Sequence, residues 1–587
     1  MPEKNYWELP DRLKRYRNRK KDYPYYSYCP YVYSVREIID VCSNRYGEKA
    51  AFMFREKGVV NSVTFLEYRD EVNSLGTGLC EYGIHNRHIV IIGNNCYNWA
   101  LSFYAVLASE GVAIPTDSAL SLEELEYIFT FSDATVIIYS KSMEPKIKEL
   151  EPKLPNITHF ICMEEPEVKD GRHFNLEDIK EKGKQLYKAG DTRYTGIVPD
   201  PERLSELVFT SGTTGRAKGV MLNQRAICYV VSHSPDIMHV NYSCLSVLPY
   251  YHTLESTCGL LGMFHSGNTN CINESLRTLM PNLKYYKPTD IQLVPLFVEK
   301  MYRSIWNKIE EQGKAKKVKA AIKISNALLK LGIDVRQKLF SEIHDTFGRR
   351  LLVIICGGAP MAPEIAEFFY SIGITLCTGY GTTECAPIVT ITRPEFHDYK
   401  CVGTIMPGVE VKIDSPNENG EGEICIKAPN VMMGYYKEEE LTSQVFDKEG
   451  YFHTGDIGAL YKNNRLIITG RLKNVIILPN GKNIYPEELE YKIKRMSDLI
   501  GEIVVCEMEK NGETVIGAEI FPDRNYAENA GIQDIQGEIR KVISRYNEDQ
   551  PNHKVIKEIK LRETEFDKTT SAKIKRNYSK PNKGIKL

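Results

Sequence analysis

The sequence predicts an α/β fold: a large N-terminal domain of layered, mostly parallel β-sheets with helices on both faces, and a small mobile α+β C-terminal domain. Its 587 residues are about four times the length of a typical domain, so one compact core is not expected. After residue 35, short β-branched runs alternate with amphipathic stretches, which is typical of a parallel sheet covered by helices. The pattern changes near residue 470, and we place the domains at 1–472 and 473–587.

The strands and helices can be assigned from local patterns. His88–Gly93 predicts a buried strand closed by glycine, and 134–139 and 351–356 predict two more. Between them, Ser121 opens a helix in a capping box with Glu124. Because parallel sheets bind ligands beyond the carboxyl ends of their strands, we look for the site in the loops that follow such runs.

Composition excludes several classes of protein. Hydrophobic residues make up 42% and charged residues 26% of the total, which excludes a disordered, collagen-like or disulfide-scaffold protein. The net charge of -1 removes any overall electrostatic case for binding nucleic acid. The 15 cysteines are scattered without a C-x-x-C pair, which favours free thiols and a cytoplasmic location.

No membrane-spanning segment is expected. The N-terminus lacks an apolar signal region, and the apolar stretch 88–115 is interrupted before it reaches the ~18 residues of a span. Two basic segments, the Tyr-rich residues 1–35 and the amphipathic residues 314–340, leave peripheral contact with an anionic membrane open. For both, the first interpretation is a solvated or packed surface helix. The oligomeric state is not predicted.

The sharpest local motif is a loop rich in glycine and hydroxyl groups. Thr210–Gly219 reads T-S-G-T-T-G-R-A-K-G and follows the strand-like Leu207–Phe209. Its glycines let backbone N–H groups turn toward an anion, and its hydroxyls and Lys218 add donors, as a polyphosphate cradle requires. The spacing G-x-x-x-x-G-K-[ST] of the common nucleotide-triphosphate loop is absent.

This loop resembles the phosphate loop of the adenylate-forming superfamily, which includes acyl-CoA synthetases, peptide-synthetase adenylation domains and luciferases. The resemblance continues in collinear order over residues 207–575. Its further segments are Gly357–Pro360, Tyr380–Glu384, Gly422–Ile424, Gly434–Tyr436, Tyr451–Asp456, Gly470–Lys473, Pro486–Glu490 and Lys568–Lys573.

The resemblance implies a nucleotide site for ATP and Mg²⁺. Glu384 is expected to hold Mg²⁺ together with Thr210, or with Thr213 nearby. Asp456 would accept hydrogen bonds from the ribose, Tyr380 would lie against adenine, and Arg471 would reach the ribose or α-phosphate. The remaining residues implied to bind ATP or AMP are Ser211, Gly212, Thr214, Gly215, Lys218, Gly358, Ala359, Pro360, Gly381, Thr382 and Thr383.

The resemblance also implies a catalytic lysine near the C-terminus. The register Thr-Thr-Ser-x-Lys favours Lys573 over its neighbours Lys568 and Lys575. The glycine that usually precedes this lysine in the family is Ala572 here, and alanine has less backbone freedom.

Three features resemble bacterial long-chain fatty acid–CoA ligases. Residues 248–255 read L-P-Y-Y-H-T-L-E, without the aspartate with which amino-acid-activating members pair the substrate amine; His252 would form the pocket mouth. The segment 480–484, with Gly481, is similar to the G-G-K-N-V segment of the long-chain synthetases, and the amphipathic residues 314–340 look like an element of that class. Gly379 and Gly381 are further expected to line the acyl and coenzyme A pocket.

We therefore expect activation of a medium- to long-chain fatty acid to an acyl-adenylate, followed by transfer to coenzyme A about a hinge at Lys473. Alternatives that stay open are an acyl–acyl carrier protein ligase and an adenylation-only enzyme. A peptide-synthetase module is disfavoured by the missing aspartate, and a nucleotide-binding pseudoenzyme by the presence of all the expected catalytic residues. Nothing positive supports a luciferase-type oxygenase.

Overall fold

The structure is a computed structural model that describes residues 29–210, 216–240, 242–394, 398–462, 464–477, 483–510, 513–568, 574 and 576. It divides into two compact units. The first contains the described residues up to Val411, Ile426–Phe452 and Tyr461–Leu466. The second contains Lys412–Cys425, His453–Leu460 and the described residues from Ile467 onward. The boundary expected between residues 472 and 473 stays a prediction.

The first unit is an α/β structure. Its helices are α1 (Val35–Tyr46), α2 (Phe65–Glu81), α3 (Tyr97–Leu107), α4 (Leu122–Phe131), α5 (Glu144–Leu150), α6 (Leu176–Lys188), α7 (Gln224–Ile237), α8 (Met263–His265), α9 (Leu279–Tyr286), α10 (Pro295–Glu311), α11 (Ala315–Lys330), α12 (Arg336–Leu339), α13 (Ser341–Thr346), α14 (Pro363–Ser371) and α15 (Glu439–Val445). Its strands are β1 (Ala50–Glu56), β2 (Val59–Thr64), β3 (His88–Ile92), β4 (Val112–Thr116), β5 (Val136–Tyr139), β6 (His159–Cys162), β7 (His173–Asn175), β8 (Leu204–Thr210), β9 (Lys218–Asn223), β10 (Ser243–Ser246), β11 (Thr269–Ile272), β12 (Asp290–Leu293), β13 (Val353–Cys356), β14 (Thr375–Tyr380), β15 (Thr390–Ile391), β16 (Thr404–Ile405) and β19 (Gly434–Tyr435).

One sheet of the first unit has the strand order β19-β9-β8-β4-β3-β5-β6-β7. The strands from β8 to β7 pair in parallel, whereas β9 and β19 add at one edge in antiparallel fashion. Residues 89–92 of β3 and 136–139 of β5 are all buried, as expected for parallel strands covered on both faces. The capping box of Ser121 and Glu124 is confirmed at the start of α4.

The other large set of strands in this unit has the order β16-β15-β14-β13-β12-β10-β11-β1-β2. The central strands from β14 to β1 are parallel, and both ends are antiparallel. The core on this sheet includes Ile291, Ile354, Leu376 and Phe369, all fully buried. The predicted mostly parallel, layered α/β architecture is therefore confirmed.

The basic segment 314–340 is not one helix. Helix α11 ends at Lys330, and Gly332, with φ +82°, turns the backbone before the short helices α12 and α13. None of the described helices is both long and apolar enough to cross a membrane.

The second unit is smaller and has mixed α and β structure. Four strands lie in the order β17 (Glu410–Asp414), β18 (Gly422–Lys427), β20 (Phe452–Tyr461) and β21 (Arg465–Arg471), with most of their residues in this unit. Further along the sequence come β22 (Ile476–Ile477), β23 (Asn483–Ile484), α16 (Pro486–Lys494), β24 (Ile500–Lys510), β25 (Glu513–Pro522), α17 (Arg524–Asn529), α18 (Ile535–Glu548) and β26 (Glu558–Leu561). Leu489, Ile539 and Ile520 are fully buried in the core that α16 and α18 form with the sheet β24-β25-β26.

Candidate functional site

The hydroxyl-and-glycine loop connects two antiparallel strands of the first unit. Thr210 ends β8, Lys218 begins β9, and the two residues are directly paired. The loop therefore joins the paired ends of two antiparallel strands. The predicted phosphate-binding residues Ser211, Gly212, Thr213, Thr214 and Gly215 lie outside the described residues.

Glu384 is held by a buried tyrosine. Tyr435 of β19 pairs with Val220 of β9, and its hydroxyl donates to Glu384 Oε1 at 2.9 Å. Burial and the neighbouring carboxylate raise the pKa of Tyr435, so the hydroxyl keeps the proton that it donates. Lys218 Nζ lies 5.3 Å from the centre of the same ring. Tyr435 thus contacts both Glu384, the predicted metal ligand, and Lys218, the first residue of β9.

Backbone contacts fix the same region. Met432 N–H donates to the carbonyl of Glu384 at 2.8 Å, and Asn430 Nδ2 donates to the carbonyl of Cys385 at 2.6 Å. Glu384 lies in a 3-10 turn, Thr383–Cys385, which begins the connection after β14. The carboxylate is therefore anchored both through its own backbone and through its side chain.

The glycines next to Glu384 allow a close approach of two backbone segments. A Cβ atom on Gly381 would lie 1.8 Å from the carbonyl oxygen of Pro387, and one on Gly379 would lie 3.0 Å from that of Thr390. Neither position has room for a side chain without movement of the backbone. Thr382 Oγ1 is buried and has no hydrogen-bond partner among the described residues.

The predicted adenine-side loop follows β13. Gly358 has φ +87° and, with Ala359 and Pro360, is exposed. Because β13 and β14 are parallel neighbours, with Cys356 opposite Thr378, this loop and the segment after Tyr380 leave the same edge of the sheet. That edge is where open α/β sheets bind ligands.

His252 lies before a π-helix, Leu254–Gly262. Its carbonyl accepts the N–H groups of Glu255 and Ser256, and its ring lies 4.6 Å from that of Tyr251. Glu255 is fully buried, Ser246 Oγ donates to it at 2.5 Å, and burial raises its pKa to about 8. The motif that suggested a pocket mouth thus contains a buried carboxyl group whose pKa is raised. The role of His252 in substrate binding stays a prediction.

In the second unit, Asp456 and Arg471 form an ion pair. Asp456 lies on β20 with 6% of its side chain exposed, and Arg471 Nε is 2.9 Å from its Oδ1. Arg471 is the last residue of β21, which ends within the predicted hinge motif Gly470–Lys473. Lys473 follows in a 3-10 turn, and burial together with Arg471 lowers its pKa to about 8. The predicted ribose carboxylate, its guanidinium and the hinge lysine are therefore neighbours.

Lys573 and Gly481 lie outside the described residues, but the residues flanking the lysine loop are described. Lys568 forms an isolated β-bridge with Ile574 and ion pairs with Glu502 and with Glu565. These contacts fix the start of the loop. Its far side is fixed by Arg576 Nη2, which lies 2.5 Å from Glu490 Oε2.

Sequence reasoning did not assign a role to two groups. Tyr435 stood in the Gly-Tyr-Tyr motif, but its bond to Glu384 joins residues 51 positions apart, which no local pattern reveals. Glu206, on β8, is fully buried, and burial raises its pKa to about 8. A lone glutamate in an otherwise apolar strand was the only signal that could have found it.

The fold is that of the α/β adenylate-forming enzymes. The chain belongs to the AMP-binding enzyme family, whose model matches residues 39–436. A second family model, the AMP-binding enzyme C-terminal domain, matches residues 473–580.

Similar proteins with assigned names include long-chain-fatty-acid–CoA ligase FadD15 of Mycobacterium tuberculosis, 28% identical over 487 residues, which are 79% of this chain and 78% of that protein. Long-chain-fatty-acid–CoA ligase 5 of Rattus norvegicus is 28% identical over 511 residues, 80% of this chain and 73% of that protein. Among solved structures, the anthranilate CoA ligase AuaEII in complex with anthranoyl-AMP matches with a TM-score of 0.74 at 18% identity, over 93% of this chain and 96% of that one. A fatty acyl CoA synthetase of Mycobacterium tuberculosis matches with a TM-score of 0.64 at 18% identity, over 92% and 96%.

Proposed function

We propose that this protein activates a medium- to long-chain fatty acid with ATP and then transfers the acyl group to coenzyme A. In the first step the fatty carboxylate attacks the α-phosphate, giving an acyl-adenylate and pyrophosphate. In the second step the thiol of coenzyme A displaces AMP and forms the thioester. The names of the relatives at 28% identity support the fatty acid and coenzyme A as substrates.

The observation that carries this proposal is the Glu384 carboxylate, oriented by Tyr435 beside Lys218. The donors present fit Mg²⁺, a hard cation that prefers carboxylate and hydroxyl oxygens such as those of Glu384 and Thr210. When bound, Mg²⁺ would neutralise charge on the phosphate oxygens. The buried hydroxyl of Thr382 fits a role as a hydrogen-bonding group for the nucleotide.

The predicted site residues suggest how each substrate would be held. Lys218 and the loop before it would bind phosphate oxygens, and Tyr380 with the Gly358–Pro360 loop would flank adenine. Asp456 would accept hydrogen bonds from the ribose hydroxyls. Lys573 would donate to the oxygens on which negative charge develops during attack on the α-phosphate.

The second half-reaction requires that a different part of the C-terminal domain face the acyl-adenylate. We propose that the C-terminal domain, residues 473–587, turns about Lys473, withdraws Lys573 and brings the segment around Gly481 to the acyl-adenylate. The reaction would take place in the cytoplasm, where all fifteen thiols stay reduced. For the basic α11 region, a packed surface helix is the first interpretation, and peripheral membrane contact is the alternative.

The experiment is a pair of assays on the purified full-length protein. ATP–pyrophosphate exchange and AMP release are measured with a panel of fatty acids of increasing length, each with coenzyme A or with acyl carrier protein as acceptor. We expect exchange with medium- and long-chain acids and thioester formation only with coenzyme A. Transfer to carrier protein alone would favour the acyl carrier protein ligase, and exchange without transfer an adenylation-only enzyme. No exchange with any acid would refute the proposal.

A further inference from the structure

Three side chains with metal-binding atoms converge in the second unit, apart from the residues given roles above. Glu423 and Cys425 alternate along β18 and so face the same side of that strand, and His453 lies on the adjacent β20. His453 Nδ1 is 2.9 Å from Glu423 Oε2 and 3.4 Å from Cys425 Sγ. The ligand atoms of the three side chains all lie within 4.8 Å of one another, and among the described residues this is the one group of its kind.

Nδ1 of His453 is the atom that both other side chains approach. A single ring nitrogen carries either one proton or one lone pair. If Nδ1 donates to Glu423, it cannot accept from the Cys425 thiol, and if it accepts from the thiol, it cannot donate to the carboxylate. The thiol also contacts the carbonyl of Glu423, but at the longer distance of 3.8 Å. One ring nitrogen thus lies within reach of both a carboxylate and a thiol, an arrangement that a cation bound between the three side chains would also produce.

The same geometry argues against a nucleophilic Cys-His-Glu triad. In a triad, the histidine uses one ring nitrogen for the nucleophile and the other for the carboxylate. Here both partners approach Nδ1. The arrangement at Nδ1 therefore differs from that of a triad.

The nitrogen–sulfur distance fits the coordination of zinc, whereas the nitrogen–oxygen distance is the shorter one of a hydrogen bond. A tetrahedral zinc ion with ordinary bond lengths places nitrogen and sulfur ligands about 3.5 Å apart, and nitrogen and oxygen ligands about 3.3 Å apart. The corresponding separations are 3.4 Å and 2.9 Å. Thiolate, imidazole and carboxylate together suit Zn²⁺, whereas a hard cation such as Mg²⁺ would not select the sulfur.

We propose that Glu423, Cys425 and His453 form a binding site for Zn²⁺, with water as the fourth ligand. Cys425 is fully buried, whereas the side chains of His453 and Glu423 are 26% and 17% exposed, so the ion reaches the site from the side of these two residues. The site is separate from the Mg²⁺ position assigned to Glu384, and it does not depend on the substrate proposed above.

The site is joined to the turn that carries Asp456. Glu423 Oε1 accepts the N–H of Gly455 at 2.9 Å, and Thr454 Oγ1 donates to the carbonyl of Ile424 at 2.7 Å. Gly455 has φ +69°, a conformation in which glycine is favoured. Zinc coordinated by Oε2 leaves the bond from Oε1 intact, so the ion would rigidify the turn without dismantling it.

The test uses the tag-free, metal-free full-length protein and Co²⁺ as a spectroscopic substitute for Zn²⁺. We expect one equivalent of Co²⁺ to give a thiolate-to-cobalt absorption band in the near ultraviolet, and Zn²⁺ to displace it. Cys425→Ser should abolish the band, and His453→Gln should weaken cobalt binding by about 10- to 100-fold or more, since even outer-shell losses have effects of that size. Glu423→Gln keeps an acceptor for the N–H group of Gly455. It should weaken cobalt binding, and of the three substitutions it should change the melting temperature of the metal-free protein least.

The control is Cys506→Ser, which removes a partly exposed thiol of the same unit whose pKa burial raises to about 11. This variant should retain the full cobalt band. A band that persists in Cys425→Ser, a band lost equally in Cys506→Ser, or no saturable cobalt binding by folded wild-type protein would each overturn the proposal. If Cys425→Ser does not fold, the comparison of Glu423→Gln with Cys506→Ser decides.

Discussion

Removal of one hydroxyl group, by Tyr435→Phe, tests whether Glu384 works as the proposed metal ligand. The bond from Tyr435 Oη to Glu384 Oε1 is 2.9 Å long, and 6% of Tyr435 is exposed. A hydrogen bond to a charged group in such a place contributes about 1.5–3 kcal/mol, which corresponds to about tenfold to hundredfold in an equilibrium constant. Outer-shell partners of metal ligands have effects of the same size on metal affinity, about 10- to 100-fold. We therefore expect the Mg²⁺ concentration that half-saturates pyrophosphate exchange to rise by that factor.

The assay is pyrophosphate exchange as a function of free Mg²⁺ at saturating fatty acid. At saturating Mg²⁺ the rate of Tyr435→Phe should approach that of the wild type, because the carboxylate itself remains. The neighbouring tyrosine supplies a matched control: Tyr436 Oη also donates to a carboxylate, Asp133 Oδ2, at 2.7 Å, but not to Glu384. Tyr436→Phe should leave the Mg²⁺ dependence unchanged. An unaltered half-saturation in folded Tyr435→Phe, or an equal shift in both variants, would refute the reasoning.

Four further predictions concern catalysis and stability. Lys573→Ala should lower pyrophosphate exchange by about 10²–10³ while nucleotide binding survives, and a wild-type exchange rate would contradict the catalytic assignment. Lys473→Pro should abolish thioester formation but leave exchange intact, and equal loss of both steps would argue against the hinge. Burial raises the pKa of Glu206 to about 8, so the folded state holds the carboxyl proton more tightly than the unfolded state does. The stability that this proton contributes is therefore lost as pH rises from about 4.5 to 8, by about 1.4 kcal/mol per pH unit. Glu206→Gln should therefore reduce the difference in melting temperature between pH 6 and pH 9, and an unchanged difference would show that this carboxyl group does not titrate as stated. Gly381→Ala, whose Cβ would lie 1.8 Å from the Pro387 oxygen, should lower the melting temperature far more than Gly420→Ala, where the Cβ meets open space but φ is +77°.

Much of the fold could be predicted because its signals are local. The buried strands β3, β5 and β13 are continuous apolar runs, and the helix start at Ser121 depends on a residue three positions away. The loop between Thr210 and Lys218 could be recognised in the same way, because its glycines and hydroxyl residues are adjacent in sequence. Each of these features is determined by neighbours within a few residues.

The candidate site could be predicted only in part, because its geometry depends on contacts between distant segments. The sequence singled out Glu384 but not the tyrosine that orients it, and Asp456 but not its pairing with Arg471. Likewise, nothing in a local pattern shows that Gly381 must lack a side chain because Pro387 passes beside it. Burial of the Glu206 and Glu255 carboxyl groups is also a property of packing, since each stands in an ordinary-looking segment.

If Asp456 binds the ribose as proposed, its ion pair with Arg471 would change when nucleotide binds. A ribose that takes up the Asp456 carboxylate would compete with the guanidinium for the same oxygen, 2.9 Å away. The displaced arginine stands two positions before Lys473, whose own charge already responds to it. A change of partner at Asp456 would then reach Lys473, the proposed hinge, through two residues of backbone. Binding of the first substrate and rotation of the C-terminal domain toward the second step would become one coordinated event.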